Sequence, residues 1–521
     1  MLRLNSSSLD WALAQALNYG DTDMFPAAFE FQAIEADWTT VREWLARQEI
    51  SQWNVRPHLR YLTPKHMYGY RVATRLDPLD FLVFTAFVHE NGGDIEAARS
   101  PKSDAVVYSY RFAPERDGAM YDTSCNYQSF SQRSQELAGT GTEWVVLADI
   151  ADFYPRMYHH RVENALCTCT SSQPIAKAFN RMLSGWSGTE SYGIPVGPLA
   201  STLLAEITLS DVDDALLSEN ARYVRFNDDF RIFCVDRREA YERLAFLAKV
   251  LFTNHGLTLQ QHKTRIMSVS DFANGYLKSP AHKELASLSE KLLAILGELG
   301  LTKPYEPFQQ DQLSVEQRTK ISELNLQGIL REQVSREEID IILTRFVLRR
   351  LAQMKAIDSV DLVLDNVVNL YPVIPDVARY VKSLSDLDAT KKQEIGGKLL
   401  QLLFDSVTSH LEYHRMWLLS VFANDQGFDH KKDLVRVAGN WSDELTRREA
   451  ILALGRSGQV SWFRMRKTEV LNQPPWSRRA FIYAASCLPL DEREHWYRQL
   501  RPRLDTLELA VAKWAEQNPI S

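Results

Sequence analysis

Two adjacent aspartates between two apolar stretches restrict the local fold more than any other feature of this sequence. Asp228 and Asp229 are flanked by strand-like residues at 222–225 and 230–235. This arrangement predicts a hairpin that presents two carboxylates at its tip. Neighbouring carboxylates repel each other, so a folded protein rarely places them together unless a cation lies beside them. The same residue types also form an ordinary solvated turn, and the pair alone leaves both interpretations open.

The composition is that of an ordinary globular protein and excludes few functions. The chain has 521 residues, with 45% hydrophobic and 24% charged residues, which is enough for about two to four domains. Its net charge of -7 does not indicate nucleic-acid binding, although polymerases can be acidic overall. The five cysteines lack the spacing of a zinc site. With no signal peptide and no run approaching the roughly 20 apolar residues of a membrane span, we expect a soluble cytoplasmic protein without a membrane partner.

The character of the sequence changes near residue 285. Before it, strand-like runs such as 105–112 and 144–148 alternate with helical stretches, which predicts an α+β domain with an antiparallel sheet. After it, amphipathic helical segments follow one another, and residues 448–455 resemble a helix of a HEAT-type repeat. No strict period is present. We therefore predict two domains, 1–285 and 286–521, the second an irregular all-α, HEAT-like helical repeat.

A third acid lies upstream of the aspartate pair. Asp149 ends the apolar run 144–148, and a carboxylate at the end of a buried strand could pack beside Asp228 and Asp229. Three converging acids suit two magnesium ions, one activating a hydroxyl and the other neutralising a leaving pyrophosphate. The alternative is that Asp149 only caps a helix.

A glycine- and proline-rich turn at 192–201 runs into a helical stretch. Such a turn brings backbone close to a flat ligand without obstruction by side chains. Together with Asp149 and the aspartate pair, it has the order and spacing of three motifs of the reverse-transcriptase palm, and residues 256–265 resemble the motif that follows the palm hairpin. Pro64-Lys65 and Arg71 resemble the basic residues of the fingers. The resemblance extends over about residues 55–270.

This resemblance implies a fold and a set of site residues. The fold is an α+β reverse-transcriptase palm and fingers, followed here by the all-α repeat. Two Mg²⁺ ions, with Mn²⁺ as an alternative, would be bound by Asp149 and Asp228, with Asp229 completing the cluster. The other implied roles are nucleotide binding by Lys65, Arg71, Gly197 and Tyr154, the last excluding a 2′-hydroxyl, and proton donation to pyrophosphate by Lys263. A surface lysine is the alternative for Lys263, and Asp152 is expected only to shape its loop.

Two departures from the common pattern indicate a branch of the family. Val196 stands where template-copying enzymes usually carry Gln, and Phe226-Asn227 precede the aspartate pair. A valine removes a hydrogen-bonding group near the incoming nucleotide, which weakens the case for templated copying. The turn and the attached helical repeat resemble the bacterial abortive-infection (Abi) reverse transcriptases, which are antiphage defence proteins.

The Abi resemblance implies template-independent DNA synthesis from dNTPs, primed by a tyrosine hydroxyl of the protein. The product would be single-stranded DNA, covalently attached in that case, and the enzyme a homo-oligomer, a trimer or hexamer. The sequence does not choose among the candidate priming residues, which include Tyr19, Tyr61, Tyr68 and Tyr70. Two alternatives stay open: a templated RNA-directed DNA polymerase that copies a dedicated RNA, and a non-catalytic binding module that acts through the helical repeats.

A basic stretch in the helical part also allows two interpretations. Residues 447–479 contain eight basic and two acidic side chains, interleaved with Trp462, Phe463 and Trp476. Such a stretch can guide a single strand by phosphate contacts and stacking. It can also be a solvated helix face with the tryptophans in the core, which is the commoner outcome. The same choice applies to Arg345, Arg349 and Arg350 on one predicted helix.

Overall fold

The computed structural model of the protein describes residues 1–169, 173–277, 324–384, 386–405, 407–428 and 430–520, together with Leu288 and Ser314. The predicted domain boundary at 285/286 lies outside these residues. Within them, no helix is long and apolar enough to cross a membrane.

The part of the chain before residue 278 combines helices with two small sheets. The long helix α4 (Pro78–Ala97) has clear start signals in the local sequence. Pro78 occupies its first position, and the Asp77 carboxylate accepts a hydrogen bond from the Leu79 backbone amide. The helices are α1 (Ser6–Tyr19), α2 (Glu30–Ala36), α3 (Trp38–Ala46), α4 (Pro78–Ala97), α5 (Tyr127–Ala138), α6 (Phe153–Arg156), α7 (His159–Cys169), α8 (Gln173–Ser187), α9 (Ala200–Thr208), α10 (Ser210–Ser218), α11 (Arg237–Val250) and α12 (Val269–Asp271).

Both sheets are antiparallel, as the sequence predicts for the sheet that carries the acids. Strands β1 and β2 form a separate hairpin, and the other four strands form one sheet in the order β4-β5-β3-β6. The strands are β1 (Leu59–His66), β2 (Gly69–Arg75), β3 (Trp144–Asp149), β4 (Arg222–Phe226), β5 (Asp229–Cys234) and β6 (Arg265–Ser268). The middle of β3 and nearly all of β5 are buried, which explains the continuous apolar run of β3, whereas β5 carries the buried Arg231 among its apolar residues.

The predicted strand at 105–112 is wrong. Only isolated bridges form there, from Val107 to Arg225 and from Phe112 to Tyr121. The backbone enters the left-handed region at Ala105 (φ 53°) and Tyr110 (φ 47°). A residue in this conformation interrupts the extended chain, so the apolar pattern cannot continue as a strand.

The described residues from 324 onward contain α-helices and short 3-10 turns, with no β-strand. Alternate helices pack on one another from α14 through α16, α18, α20 and α22 to α24, while α19 packs beside α20. The helices are α13 (Leu326–Ser335), α14 (Ile341–Gln353), α15 (Val360–Asp365), α16 (Ile374–Ser383), α17 (Ala389–Asp405), α18 (Glu412–Asn424), α19 (Lys431–Asn440), α20 (Glu444–Arg456), α21 (Val460–Arg466), α22 (Pro475–Ala484), α23 (Leu490–Leu500) and α24 (Thr506–Gln517).

The helical part packs closely against the N-terminal part. Its apolar core includes Phe25, Ala33, Leu59 and Ala73 from the first 75 residues, and α24 lies against α2. Trp476 is fully buried and donates from its indole nitrogen to the Pro57 carbonyl at 2.9 Å. The predicted tryptophan core of the helical part thus extends into the N-terminal part.

A buried group of ion pairs fixes this contact. The Glu30 carboxylate binds Arg448 at 2.7 Å and Arg479 at 3.3 Å, and Arg479 also binds Asp77 at 2.9 Å. All four side chains are almost completely buried. Burial raises the pKa of Glu30, but the charges of Arg448, Arg479 and Arg75 outweigh it, and the net shift is downward. Each charge is therefore compensated where it is buried.

Candidate active site

The hairpin between β4 and β5 carries the aspartate pair. Asp229 begins β5, and Asn227 and Asp228 form the connection. Asn227 adopts a left-handed conformation (φ 56°), which asparagine tolerates better than most residues. Its backbone amide donates to Ser109 Oγ at 2.7 Å, and its backbone carbonyl accepts from the Arg225 guanidinium at 2.9 Å. The backbone of the turn is therefore held from both sides.

The third acid lies directly opposite this turn. Asp149, the last residue of β3, is the register partner of Asp229. The Ile150 amide donates to the Asp228 carbonyl at 3.1 Å, and the Gln260 amide donates to the Asp149 carbonyl at 2.7 Å. Asp149 ends a strand, and the next helix, α6, has Asp152 at its N-cap. The helix-cap alternative for Asp149 is therefore excluded.

The electrostatics of the three carboxylates are unfavourable as they stand. Burial raises the pKa of Asp228, and the charge of Asp149 raises it further. Burial also raises the pKa of Asp229 to about 6, where Arg231 opposes the shift and Asp149 and Asp228 add to it. A cation beside the acids would relieve this repulsion.

Lys263 supplies the nearest positive charge. Its Nζ donates to Asp149 Oδ2 at 2.5 Å, and the lysine side chain is half exposed. Burial works against the lysine charge, but the hydrogen bond and the charge of Asp149 outweigh it and raise the pKa of Lys263. Within the described ranges, no three His, Cys, Asp or Glu side chains form a ready-made metal site. As a donor set, however, three half-buried carboxylates suit a hard divalent cation.

Tyr154 connects the loop after β3 to the hairpin. Its hydroxyl donates to Asn227 Oδ1 at 3.1 Å, beside the aspartate pair. Burial raises its pKa well above the ordinary value, and the neighbouring groups Tyr110, Glu206 and Asp228 act in the same direction. The phenol therefore stays protonated and acts as a hydrogen-bond donor next to the acids.

Comparison with known proteins agrees with this geometry. Residues 113–313 match the family described as reverse transcriptase (RNA-dependent DNA polymerase). The chain contains a reverse transcriptase domain. It is accordingly a nucleotidyltransferase of the DNA polymerase class. The matched residues include the three aspartates, Tyr154, Gly197 and Lys263, and they do not reach Lys65 or Arg71.

Solved structures of low similarity include two telomerases. A Candida albicans telomerase in complex with a fragment of telomeric RNA is 12% identical, with a TM-score of 0.33, over 73% of this chain and 70% of that one. An apo telomerase from Candida tropicalis is 10% identical, with a TM-score of 0.34, over 82% of this chain and 73% of that one. Likenesses this weak say nothing further about this chain. No curated protein matches the sequence.

A buried arginine, Arg225, forms ion pairs next to the turn that carries the aspartate pair. Arg225 binds Asp213 at 2.5 Å and Glu206 at 2.9 Å, and Glu206 also binds Arg99 at 2.7 Å. Burial works against the charge of Arg225, but the two carboxylates raise its pKa. The sequence reasoning assigned no role to these residues. An arginine inside the apolar strand 222–226 was the available signal, because a buried charge requires a buried partner.

The glycine- and proline-rich turn joins this domain to the β1–β2 hairpin. The Thr74 amide donates to the Val196 carbonyl at 2.8 Å. Gly197 has φ +145°, and a Cβ at this position would lie 2.9 Å from the Thr74 carbonyl oxygen and 3.2 Å from Thr22 Oγ1. The close packing of the turn on β2 thus gives a structural reason for glycine at 197.

Lys65 and Arg71, the two residues of the β1–β2 hairpin that the family resemblance assigns to nucleotide binding, have different surroundings. Lys65 is exposed, and its charge counteracts the upward pKa shift of Asp228, so it lies within electrostatic reach of the acids. Burial lowers the pKa of Arg71, and the groups that act on it are Asp23, Tyr413 and Arg345. Lys65 is therefore one of the main charges that act on Asp228, whereas the main groups that act on Arg71 lie elsewhere.

The arginine cluster on α14 is occupied by partners within the chain. Arg345 and Arg349 donate to opposite oxygens of the buried Asp376 carboxylate, at 3.0 and 2.8 Å. Arg350 is buried and donates to Gln353 at 2.9 Å. For this cluster, therefore, the structure favours the interpretation without nucleic acid.

A cavity of about 290 Å³ lies beside the loop that follows Asp149. Asp152 and Arg156 line it from α6 and its N-cap, and Tyr158 and Tyr192 form an aromatic wall. Asp152 has an unusual left-handed backbone (φ 47°) and is exposed. This agrees with the expectation that Asp152 shapes the loop.

Proposed function

We propose that this chain is a DNA polymerase of reverse-transcriptase type that acts in abortive-infection antiphage defence, using dNTPs and two Mg²⁺ ions. The observation that carries the proposal is the register of the sheet, which puts Asp149 opposite Asp229 and next to Asp228. No folding requirement explains three half-buried carboxylates at one place, where burial and neighbouring acids raise the pKa values of Asp228 and Asp229.

The chemistry follows from the donor set. Asp149 and Asp228 would hold the metal ions, with Asp229 completing the site. Bound there, the ions would activate a hydroxyl and neutralise charge on the phosphates. The hydroxyl oxygen forms a bond to the α-phosphorus of the dNTP, the bond to pyrophosphate breaks, and the hydroxyl proton passes to water. Lys263 gives a proton to the leaving pyrophosphate.

The remaining site residues select and hold the nucleotide in this proposal. Tyr154 packs beneath the sugar and excludes a 2′-hydroxyl. Lys65 binds the triphosphate, since its charge already reaches Asp228. Arg71 would have to turn from its present surroundings to share that task. Gly197 has no side chain, and this allows the turn to pack closely on β2.

We propose that synthesis is template-independent and starts on a tyrosine of the protein. Val196 leaves the turn without the amide that template-copying enzymes place there. Of the four candidates, Tyr68 is the most suitable nucleophile, because it is 71% exposed in the β1–β2 turn, three residues from Lys65. Tyr70 is less free, since its hydroxyl forms a 3.0 Å hydrogen bond with the Tyr371 hydroxyl. The stacked helices from α14 to α24 would be an irregular HEAT-like repeat that supports a cytoplasmic homo-oligomer.

A second candidate function is RNA-directed DNA synthesis on a dedicated template. The matching family, described as RNA-dependent DNA polymerase, favours it. In that case the chain would bind RNA, and DNA would not be attached to a tyrosine.

One assay separates the two. Purified, nuclease-treated protein is incubated with labelled dNTPs and Mg²⁺, without template or primer, beside the Tyr68→Phe variant. Label that stays with denatured protein and is released by proteinase supports untemplated, protein-primed synthesis, and its loss in Tyr68→Phe would identify the residue. Synthesis only after RNA is added, with product free of protein, would favour the second candidate.

A further inference from the structure

The basic stretch 447–479 is only partly used for internal contacts. Six of its eight basic side chains have partners within the chain. Arg448 and Arg479 bind Glu30, Arg464 and Lys467 bind Glu492, Arg478 binds Glu508, and Arg456 donates to the Ala423 carbonyl. Contacts within the chain account for these six, although Arg448 and Arg479 are buried and do not belong to a solvated helix face. The two others, Arg447 and Arg466, need a different explanation.

Arg447 and Arg466 line one cavity of about 360 Å³. Arg447 extends from α20, and Arg466 ends α21. In the described parts of the chain, neither guanidinium forms an ion pair or a hydrogen bond, and both side chains are only half-buried. Two unpaired cations beside one cavity attract an anion, and guanidinium groups bind phosphate particularly well.

The cavity also offers a flat stacking surface. The Arg466 guanidinium lies 4.6 Å from the centre of the Trp462 ring. Trp462 is itself fixed by edge contact with Phe463, at 5.0 Å between ring centres. A guanidinium plane backed by an aromatic ring is a surface on which nucleobases stack.

Polar groups for a base edge complete the lining. Glu469, Asn472 and Gln473 line the same cavity. The Gln473 side-chain oxygen is buried and has no hydrogen-bond partner among the described residues. A buried acceptor of this kind is costly unless a donor reaches it, and rotation of the Gln473 side chain toward the cavity would let the amino group of a base be that donor.

We propose that this cavity binds one nucleotide unit, with its phosphate on Arg447 and its base stacked on Arg466. The unit is either a free nucleotide or one residue of a single DNA strand, since both present the same chemistry. The inference does not depend on catalysis by the three aspartates.

The test is equilibrium binding to the full-length protein in EDTA, with labelled deoxynucleoside monophosphates and, separately, labelled short single-stranded DNA. Arg447→Ala and Arg466→Ala should each weaken binding about tenfold or more. Arg464→Ala is the matched control, because Arg464 is paired with Glu492 and does not line the cavity. Glu469→Gln should tighten binding, because it removes a negative charge from the lining of a cavity that receives an anionic ligand, and a loss of folding would not produce that gain.

The outcomes decide both the site and the source of the ligand. Comparable binding of monophosphate and oligonucleotide supports a free nucleotide, whereas strong binding of the oligonucleotide alone supports a strand. Unchanged affinity in both arginine variants, or inorganic phosphate competing as well as the nucleotide, would overturn the proposal. The Asp228→Asn protein should bind as the wild type does, so failure of the polymerase proposal would leave this result intact.

Discussion

The chain buries charged side chains at two places, and the two differ in how far opposite charges compensate them. At the contact between its two parts, Glu30 and Asp77 are completely buried but fully matched by Arg448 and Arg479. At the end of β3, three aspartates lie together with less compensation, and burial raises two of their pKa values. Charges at the first place hold the fold together. Those at the second place add repulsion to the folded state, which is the expected arrangement where a cation has to bind.

The largest expected effect comes from a substitution among the three aspartates, and it is a loss of catalysis. Replacing Asp228 by Asn removes a metal ligand, so dNTP incorporation should fall by more than about 100-fold. The melting temperature should stay the same or rise, because the substitution removes a repelling charge. Incorporation and thermal unfolding are measured on the same preparation. A variant that lost both activity and stability would place Asp228 with the structural charges instead.

The corresponding change at the interface should act on stability. Glu30→Gln leaves Arg448 and Arg479 buried without their shared carboxylate, which should cost about 3 kcal/mol of unfolding free energy. Glu35→Gln is a matched control, because Glu35 lies exposed on the same helix. Denaturant unfolding measures both. Equal stability of the two variants would contradict the role given to the buried group.

The contributions of the two places to stability should also depend on pH in opposite directions. The pKa of Asp229 is about 6 in the folded protein, against an ordinary aspartate value of 3.8. Without divalent cations, its contribution to stability should therefore fall as pH rises through that interval, because the folded state holds its proton longer. The lowered pKa of Glu30 has the opposite sign, so its contribution is lost only as pH falls. Thermal unfolding in EDTA, compared between wild type and Asp229→Asn, isolates the first effect.

The smallest effect concerns Lys65 and Arg71 of the β1–β2 hairpin. Lys65→Ala should raise the KM for dNTPs about tenfold, because its charge acts on the acidic site. Arg71→Ala should raise it about threefold at most, because Arg71 interacts with Asp23 and the helical part. Steady-state kinetics distinguish them. The reverse order would mean that Arg71 turns toward the nucleotide during catalysis.

The local sequence predicted the centre of the site better than its surroundings. The strand that ends at Asp149 and the hairpin at Asp228 have strong local signals, and the structure brings them together. The run 105–112 had an equally apolar pattern, but the left-handed backbone at Ala105 and Tyr110 depends on tertiary contacts that no local pattern contains. Local periodicity identifies an element more reliably than it identifies the breaks within it.

Contacts between distant residues were beyond sequence reasoning. Glu30 and Arg448 are 418 positions apart, and nothing local to either residue indicates the other. The same holds for the bracing of Arg225 by Glu206, and for Asp376 beneath Arg345 and Arg349. Basic stretches therefore look alike in sequence whether their charges are matched internally or left for a ligand, and the structure separates Arg447 and Arg466 from the rest.

A crystal structure with Mn²⁺ and a dNTP would test most directly whether the three aspartates form a cation site. The account predicts an anomalous peak in contact with both Asp149 and Asp228, with the Lys263 ammonium moved away from Asp149 Oδ2, where it now lies at 2.5 Å. An incorporating enzyme with no peak there, and with Lys263 still bound to Asp149, would contradict it.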